Sequence, residues 1–250
     1  MKIFSRETKL VTFLHLPHSV HIVDDLLTRL SIRLSDQVWC DSVATATSRI
    51  PVVSQSRSRV ISFVTHRLTP TRGRSNSPNF IFWGRLHPQK GLITALMLFR
   101  EIRTYMSSAR FHIIGPDGGE LNRLHEHIKE YGLQRSVSIL GPMEREKIFE
   151  YARCASFYLQ LSVVEGMAMS VIEAMQLGLV PVVTPVGEIS NYCKNGINAV
   201  IVNNSYESLD AIKTLLSDQG AYQLISSAAV TTWSNQPLYK DSFMSSCEQV

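Results

Sequence analysis

Beyond residue 79 the chain alternates two hydrophobic patterns. Short runs of consecutive apolar residues are separated by longer stretches in which apolar positions recur every three or four residues. The runs Phe80–Trp83, Phe111–Ile114, Ser136–Leu140, Phe157–Leu161, Val180–Thr184 and Ala199–Val202 predict strands buried on both faces. The intervening stretches Leu92–Tyr105, Glu120–Tyr131, Glu144–Cys154 and Val171–Leu177 predict helices, the last ended by Gly178. Strands alternating with helices, each strand nearly all apolar, imply a parallel sheet covered on both faces. The expected fold class is therefore α/β, with a doubly wound domain over 80–230. Upstream, Leu10–His15 and Val60–Val64 predict strands, and Ile22–Leu34 has helical periodicity. Between the two regions, 67–79 combines prolines, a glycine, small polar residues and three arginines without periodicity, and reads as a linker.

Composition narrows the picture. The 250 residues are 44% hydrophobic and 18% charged, with 8% aromatics, which excludes disorder, collagen-like repeats and coiled coil. Cys40, Cys154, Cys193 and Cys247 lie far apart without a CxxC pair, which fits a reducing compartment and argues against a zinc ribbon. No stretch reaches the ~18 consecutive apolar residues of a membrane span. The N-terminus lacks a signal-peptide pattern, with Glu7 in its basic region and His15, Pro17 and His18 interrupting the apolar run. A cytoplasmic protein is expected. The net charge of +4 is uneven: residues 1–75 carry 11 Lys/Arg and 5 Asp/Glu, so the rest of the chain is mildly acidic. The basic part reads as a solvated face or as contact with an anionic surface. Nucleic acid is not expected, because no aromatics interleave with the basic residues.

In a doubly wound sheet, ligands bind outside the carboxyl ends of the strands, so the chemistry is sought in the loops that follow them. The first such loop, Gly84-Arg-Leu-His-Pro-Gln-Lys90-Gly91, holds two cations five residues apart. It reads either as a surface turn or as a pyrophosphate grip made by Arg85 and Lys90; it is not a P-loop. The second, Gly115-Pro-Asp-Gly-Gly119, has no GxGxxG spacing and serves as a tight turn, with close backbone approach to a ligand open at Gly115. After the fourth run comes Ser162-Val-Val-Glu165-Gly166-Met167-Ala168-Met169-Ser170-Val-Ile-Glu173. There the free N–H groups of Met167, Ala168 and Met169 at a helix start offer an anion site. Glu173 is explained equally by a capping box with Ser170; no capping rule explains Glu165. The spacing of His15, His18 and His21 suggests metal, but Pro17 breaks the helix that would align them, and no metal is expected. Hydrolase motifs are missing.

Taken in order, Gly84-Arg85-Leu86 with Lys90-Gly91, Ile113-Ile114-Gly115, Val137–Gly141, Glu165-Gly166 with Ile172-Glu173-Ala174-Met175, Gly178, Pro181-Val182-Val183 and Asn195-Gly196 form a specific series over 80–202. This series resembles the C-terminal domain of retaining GT-B glycosyltransferases of the family 4 type (glycosyl transferases group 1). The resemblance implies a GT-B fold, with a complete Rossmann-like C-terminal domain at 80–230 after the linker 67–79. It also implies a partial N-terminal, acceptor-side domain at 1–66 and a terminal helix at 231–250 crossing back to that domain. Thr12-Phe-Leu-His15, Leu34–Ser42, Val60–Val64 and Trp233–Phe243 resemble the matching pieces of the first domain and last helix. The family's opening βαβ units with their glycine-rich acceptor loop are not seen, so the first domain reads as truncated. Leu161 stands where a proline is common, and Ala199 where a glycine is.

By resemblance, Arg85 and Lys90 neutralise the donor diphosphate, Glu165 contacts the donor sugar, and Glu173 holds the ribose hydroxyls. Gly84, Gly115 and the amides of Gly166, Met167, Ala168 and Met169 line the donor site. Leu140, Gly141 and Pro142 lie where the base stacks, and His15 lies near the sugar. The implied activity is transfer of a hexose from a nucleoside-diphosphate-sugar to a saccharide or lipid-linked acceptor with retention, in bacterial cell-surface polysaccharide or lipopolysaccharide synthesis. No cofactor is expected, and peripheral contact with an anionic inner membrane follows from charge and family habit. The alternative is a nucleotide-sugar-binding fragment or subunit needing a partner chain.

Overall fold

The computed structural model describes residues 8–249 except 20, 72 and 204, without the side chains of 205 and 206. The chain divides into two compact units, one of residues 1–66 and 236–250, the other of 67–235.

In the first unit, strands β1 (Val11–Leu14), β2 (Gln37–Cys40) and β3 (Ser58–Val60) form a parallel sheet in that order. Helices α1 (Ile22–Leu34) and α2 (Val43–Arg49) make the crossovers. Each helix begins on a side-chain cap, α1 on His21 and α2 on Ser42, which satisfy N–H groups that the helix start leaves free. Leu14, Ile32, Val38, Cys40 and Ile50 form the core. The strand expected at Val60–Val64 is displaced: β3 ends at Val60, and Ile61 and Val64 are buried as extended loop, the Ile61 N–H bonded to the Cys40 carbonyl. Pairing, not burial, defines a strand, and only Ser58–Val60 is in register with β2.

The second unit contains a six-stranded sheet built from β4 (Asn79–Trp83), β5 (Arg110–Ile114), β6 (Val137–Ile139), β7 (Phe157–Gln160), β8 (Val180–Val183) and β9 (Val200–Ile201). Its order is β6-β5-β4-β7-β8-β9 and every pairing is parallel. Helices α3 (Leu92–Tyr105), α4 (Leu121–Glu130), α5 (Arg145–Arg153), α6 (Met169–Gln176) and α7 (Ile189–Tyr192) connect the strands, followed by α8 (Ser205–Ser217) and α9 (Gln219–Ser234). Phe80 of β4 stacks on Phe157 of β7 and meets Phe99 of α3 edge-on, so the sheet centre is solid aromatic core. The chain then returns to the first unit as α10 (Tyr239–Cys247), where Phe243 packs edge-on against Trp39 at 5.3 Å. The terminal helix therefore begins at Tyr239, while Trp233 belongs to α9. Among the described residues no helix is long and apolar enough to cross a membrane.

The proline- and arginine-rich stretch 67–79 lies in the second unit and is pinned to it. The buried Arg74 guanidinium donates to the carbonyls of Ala152, Ala155 and Leu177, and burial pulls its pKa down.

Candidate functional site

In the second sheet the strand order reverses between β4 and β7: the chain winds outward from β4 to β6, then crosses back to β7. Such a switch point opens a crevice at the carboxyl ends, where neighbouring connections leave in opposite directions. The loops after β4 and β7 flank it and are knit together. The Val163 N–H donates to the Gln89 carbonyl at 2.9 Å, and the Gln89 side chain donates to the Val164 carbonyl at 2.8 Å. Gly91 has φ 62°, and a Cβ there would sit 1.8 Å from the Leu161 carbonyl oxygen, so only glycine allows this approach.

That closeness brings Lys90 to Glu165. The Lys90 ammonium lies 2.6 Å from Glu165 Oε1, and the side chains are 18% and 6% exposed, so the pair is largely shielded from solvent. The same oxygen accepts from Gln160 Nε2 at 3.0 Å and Ser162 Oγ at 2.8 Å. Oε2 takes no hydrogen bond among the described residues. The carboxylate is thus held through one oxygen and offers the other.

Gln160 is the hub of this arrangement. Fully buried at the end of β7, its amide oxygen accepts from Tyr158 and Ser170, while its nitrogen donates to Ser162 and Glu165. All four hydrogen-bonding positions of the amide are used, so its orientation is fixed. Burial pushes the Tyr158 phenol well above its usual range and keeps it a neutral donor.

The capping-box reading of Ser170 and Glu173 is corrected by the structure. Helix α6 is preceded at its N-cap by Ala168, and Ser170 lies inside the helix with its hydroxyl on Gln160. Glu173 instead accepts from the Trp83 indole at 2.9 Å and from Arg145 at 2.8 Å. Ala168 is left-handed at φ 53°, alone among the described non-glycine residues in having positive φ. Such a conformation strains a residue with a Cβ. The bend leaves the N–H groups of Gly166, Met167, Ala168 and Met169 without an acceptor among the described residues. Carbonyls of the same loop are tied down, Gly166 by the Glu188 N–H and Met167 by the Tyr192 hydroxyl.

In the loop after β4, the Arg85 side chain is exposed and makes no ion pair or hydrogen bond among the described residues. Its stem lies over Gly118, where a Cβ would meet Arg85 Cγ at 2.7 Å. At Gly115 a Cβ would sit 1.8 Å from the Gly84 carbonyl oxygen, and the Gly115 N–H donates to the Gly141 carbonyl at 2.9 Å. Gly84, Gly115 and Gly141 thus run along the carboxyl edge. Leu140 is half-buried beside them and Pro142 is exposed. Asp117 caps the following turn: its Oδ1 accepts from the N–H groups of Gly119, Glu120 and Leu121, and these bonds pull its pKa down.

His15 belongs to the first unit. It stacks on Phe13 at 4.7 Å, meets Phe63 edge-on, and places Nδ1 3.8 Å from Asp41 Oδ2. Burial raises the Asp41 pKa against the opposing pull of Ser42, Thr45 and His15. His21 caps α1, and among the described residues no group of three or more His, Cys, Asp or Glu is placed to hold a metal.

Gln160, Tyr158, Trp83, Arg145 and Asp41 are contributors that sequence reading missed. For Gln160 a signal exists: an amide in an otherwise apolar predicted strand needs partners to be buried. Arg145 gives none, because only the fold brings it to Glu173.

Comparison with known proteins supplies independent findings. The family model described as glycosyl transferases group 1 matches residues 70–231. A GDP-mannose:cellobiosyl-diphosphopolyprenol alpha-mannosyltransferase of Xanthomonas campestris is 29% identical over 156 residues, covering 61% of this chain and 41% of that protein. The phosphatidylinositol N-acetylglucosaminyltransferase GPI3 subunit of Saccharomyces cerevisiae is 26% identical over 126 residues, covering 50% of this chain and 28% of its own length. The matched stretches thus span less than half of these relatives. Among solved structures, Staphylococcus aureus TarM superposes with a TM-score of 0.84 at 15% identity, over 99% of this chain and 52% of that one. Anabaena HepE in complex with UDP gives 0.81 at 21% identity, over 99% and 73%. At these identities the superpositions show a shared fold.

Proposed function

The chain belongs to the glycosyl transferases group 1 family, and from that premise we propose that its second unit binds a nucleoside-diphosphate-sugar whose sugar is transferred with retention to a saccharide or lipid-linked acceptor. The observation that carries the reading is the crevice at the β4/β7 switch point. There Lys90, Glu165 and the open N–H groups of Gly166–Met169 are brought to one place by two loops locked together through their backbones. Cations and unpaired amides suit a diphosphate, and a carboxylate with one free oxygen suits a sugar hydroxyl.

In this reading Arg85, Lys90 and the start of α6 face the diphosphate, and Glu165 steadies the sugar. Glu173, held by Trp83 and Arg145, takes the ribose hydroxyls, and the base lies over Leu140, Gly141 and Pro142. His15 enters by resemblance alone. The acceptor oxygen attacks the anomeric carbon as the bond to the diphosphate oxygen breaks, and the departing diphosphate takes the acceptor proton. The protein's contribution is charge already in place where negative charge develops; the residues supply it without a metal or other cofactor. Relatives whose names carry cellobiosyl-diphosphopolyprenol and phosphatidylinositol support a lipid-linked acceptor; the proposed setting is the inner face of a bacterial membrane, in surface polysaccharide synthesis.

The two cations give separable tests. Arg85 is exposed and unpaired, so Arg85→Ala lowers turnover on the order of 10²–10³-fold while the melting temperature stays put. Lys90→Ala costs similar turnover but also lowers the melting temperature, because it strands the buried Glu165 carboxylate. Transfer assays with UDP-, GDP- and ADP-sugars beside a binding titration decide the matter: wild-type turnover from both variants sinks the assignment. Donor binding without turnover in the unaltered protein would favour a binding subunit that needs a partner chain.

A further inference from the structure

Three consecutive carbonyls of the loop after β7 are held from one side. Gly187 has φ 55°, and a Cβ there would sit 2.0 Å from the Glu165 carbonyl oxygen, so the turn after β8 is pressed against that peptide. The Glu188 N–H donates to the Gly166 carbonyl at 3.0 Å. The Tyr192 hydroxyl donates to the Met167 carbonyl at 3.0 Å. Every peptide bond among the described residues is trans. In a trans peptide the C=O and the N–H that follows it point in opposite directions. The N–H groups of Gly166, Met167 and Ala168 are therefore turned away from 187–192. Because β7 lies between β8 and β4 in the sheet, that direction leads toward the loop after β4, where the crevice opens.

Of the three holds, only the one at Met167 is made by a side chain, and it acts on the strained peptide. Ala168 has φ 53°. Rotating the Met167–Ala168 peptide plane by about 180° would carry Ala168 to negative φ, relieve its strain and reverse its N–H. Strained backbone persists only where its surroundings over-determine it. The Tyr192 hydroxyl supplies that constraint, since the rotation would take the Met167 carbonyl out of its reach. The phenol is itself fixed. Its ring meets Trp233 edge-on at 5.1 Å, and the Trp233 indole reaches the Met175 sulfur of α6 at 3.3 Å. Burial pushes the Tyr192 phenol well above its usual range and keeps it a neutral donor. A phenylalanine would keep the contact with Trp233; the Met167 carbonyl is what the hydroxyl adds.

We infer that Tyr192 is a positioning residue for the donor: its hydroxyl holds the Met167–Ala168 peptide so that the Ala168 N–H faces the diphosphate, beside a Met167 N–H set in the same way by Glu188. The inference rests on the donor reading given above, and it adds the group that keeps those amides aimed.

The test titrates UDP, GDP and ADP, and then sets the tightest-binding diphosphate beside its own nucleoside. Tyr192→Phe is expected to weaken the diphosphate on the order of tenfold, as loss of an aligned donor to a charged group would, and to leave the nucleoside unchanged. Circular dichroism checks that the variant is folded. Should it not fold, hydrogen exchange in the unaltered protein supplies a second readout: the Met167 and Ala168 amides gain protection on adding the diphosphate and none on adding the nucleoside. Undiminished diphosphate affinity in folded Tyr192→Phe, equal weakening of diphosphate and nucleoside, or no gain in protection overturns the inference and leaves the transferase reading standing. Failure of the unaltered protein to bind any of the three diphosphates removes the transferase reading itself, and the positioning role falls with it.

Discussion

At the residue scale, the site depends on what holds the carboxylates as much as on the carboxylates themselves. Glu165 and Glu173 are eight positions apart and on different partners: one is fixed by Lys90, Gln160 and Ser162, the other by Trp83 and Arg145. Tyr158 links the two sets, since its hydroxyl reaches both Gln160 and the Trp83 carbonyl. Replacing Gln160 by Leu removes a donor from Glu165 and an acceptor from the buried Tyr158 hydroxyl and the half-buried Ser170 hydroxyl. The expected cost is about 1–3 kcal/mol of stability for each group left unsatisfied, measured by urea unfolding. A positioning role also predicts that kcat falls while nucleotide affinity is kept. Unchanged kcat in a folded Gln160→Leu protein would reduce Gln160 to a structural residue.

At the scale of elements, the entrance to α6 is where local preference and tertiary demand conflict. The segment Gly166-Met-Ala-Met-Ser170 places a residue with a Cβ in the left-handed region, so that the turn can aim its N–H groups across the strand ends. That conformation costs an L-residue roughly 1–2 kcal/mol. Ala168→Gly removes the strain and adds unfolded-state entropy, so the expected net gain is about 0.5–1 kcal/mol. The check is a raised denaturation midpoint with an unchanged m-value; a lowered midpoint would mean that the Ala168 methyl packs for more than it strains. The helix periods were legible at this scale: Ile22–Leu34 and Leu92–Tyr105 are observed as predicted from apolar spacing. Spacing misleads at Ser170 and Glu173, where a capping box fits the letters but the helix begins two residues earlier than that box requires. It misleads again at Val60–Val64, where only Val60 has a ladder partner and Ile61 and Val64 are buried beyond the end of β3.

At the scale of the molecule, the four cysteines report on packing. Cys154 and Cys247 are exposed, while Cys40 and Cys193 are buried. Burial raises the Cys193 thiol to about 12, so it offers almost no thiolate near neutrality. Brief alkylation of the native protein should therefore label Cys154 and Cys247, with Cys40 and Cys193 labelled only after denaturation, as mass spectrometry of the digest would show. Early labelling of Cys193 would contradict the packing of the second unit. The alternation of strands and helices, the parallel sheet and the loops that carry Arg85, Lys90, Glu165 and Glu173 were determined by the sequence alone, because hydrophobic period and turn residues act over a few positions. Tertiary structure alone decided that Lys90 meets Glu165 across 75 residues and that Trp83 and Arg145 take Glu173. Those outcomes depend on strand order and on which loops are pressed together, and no local pattern encodes either.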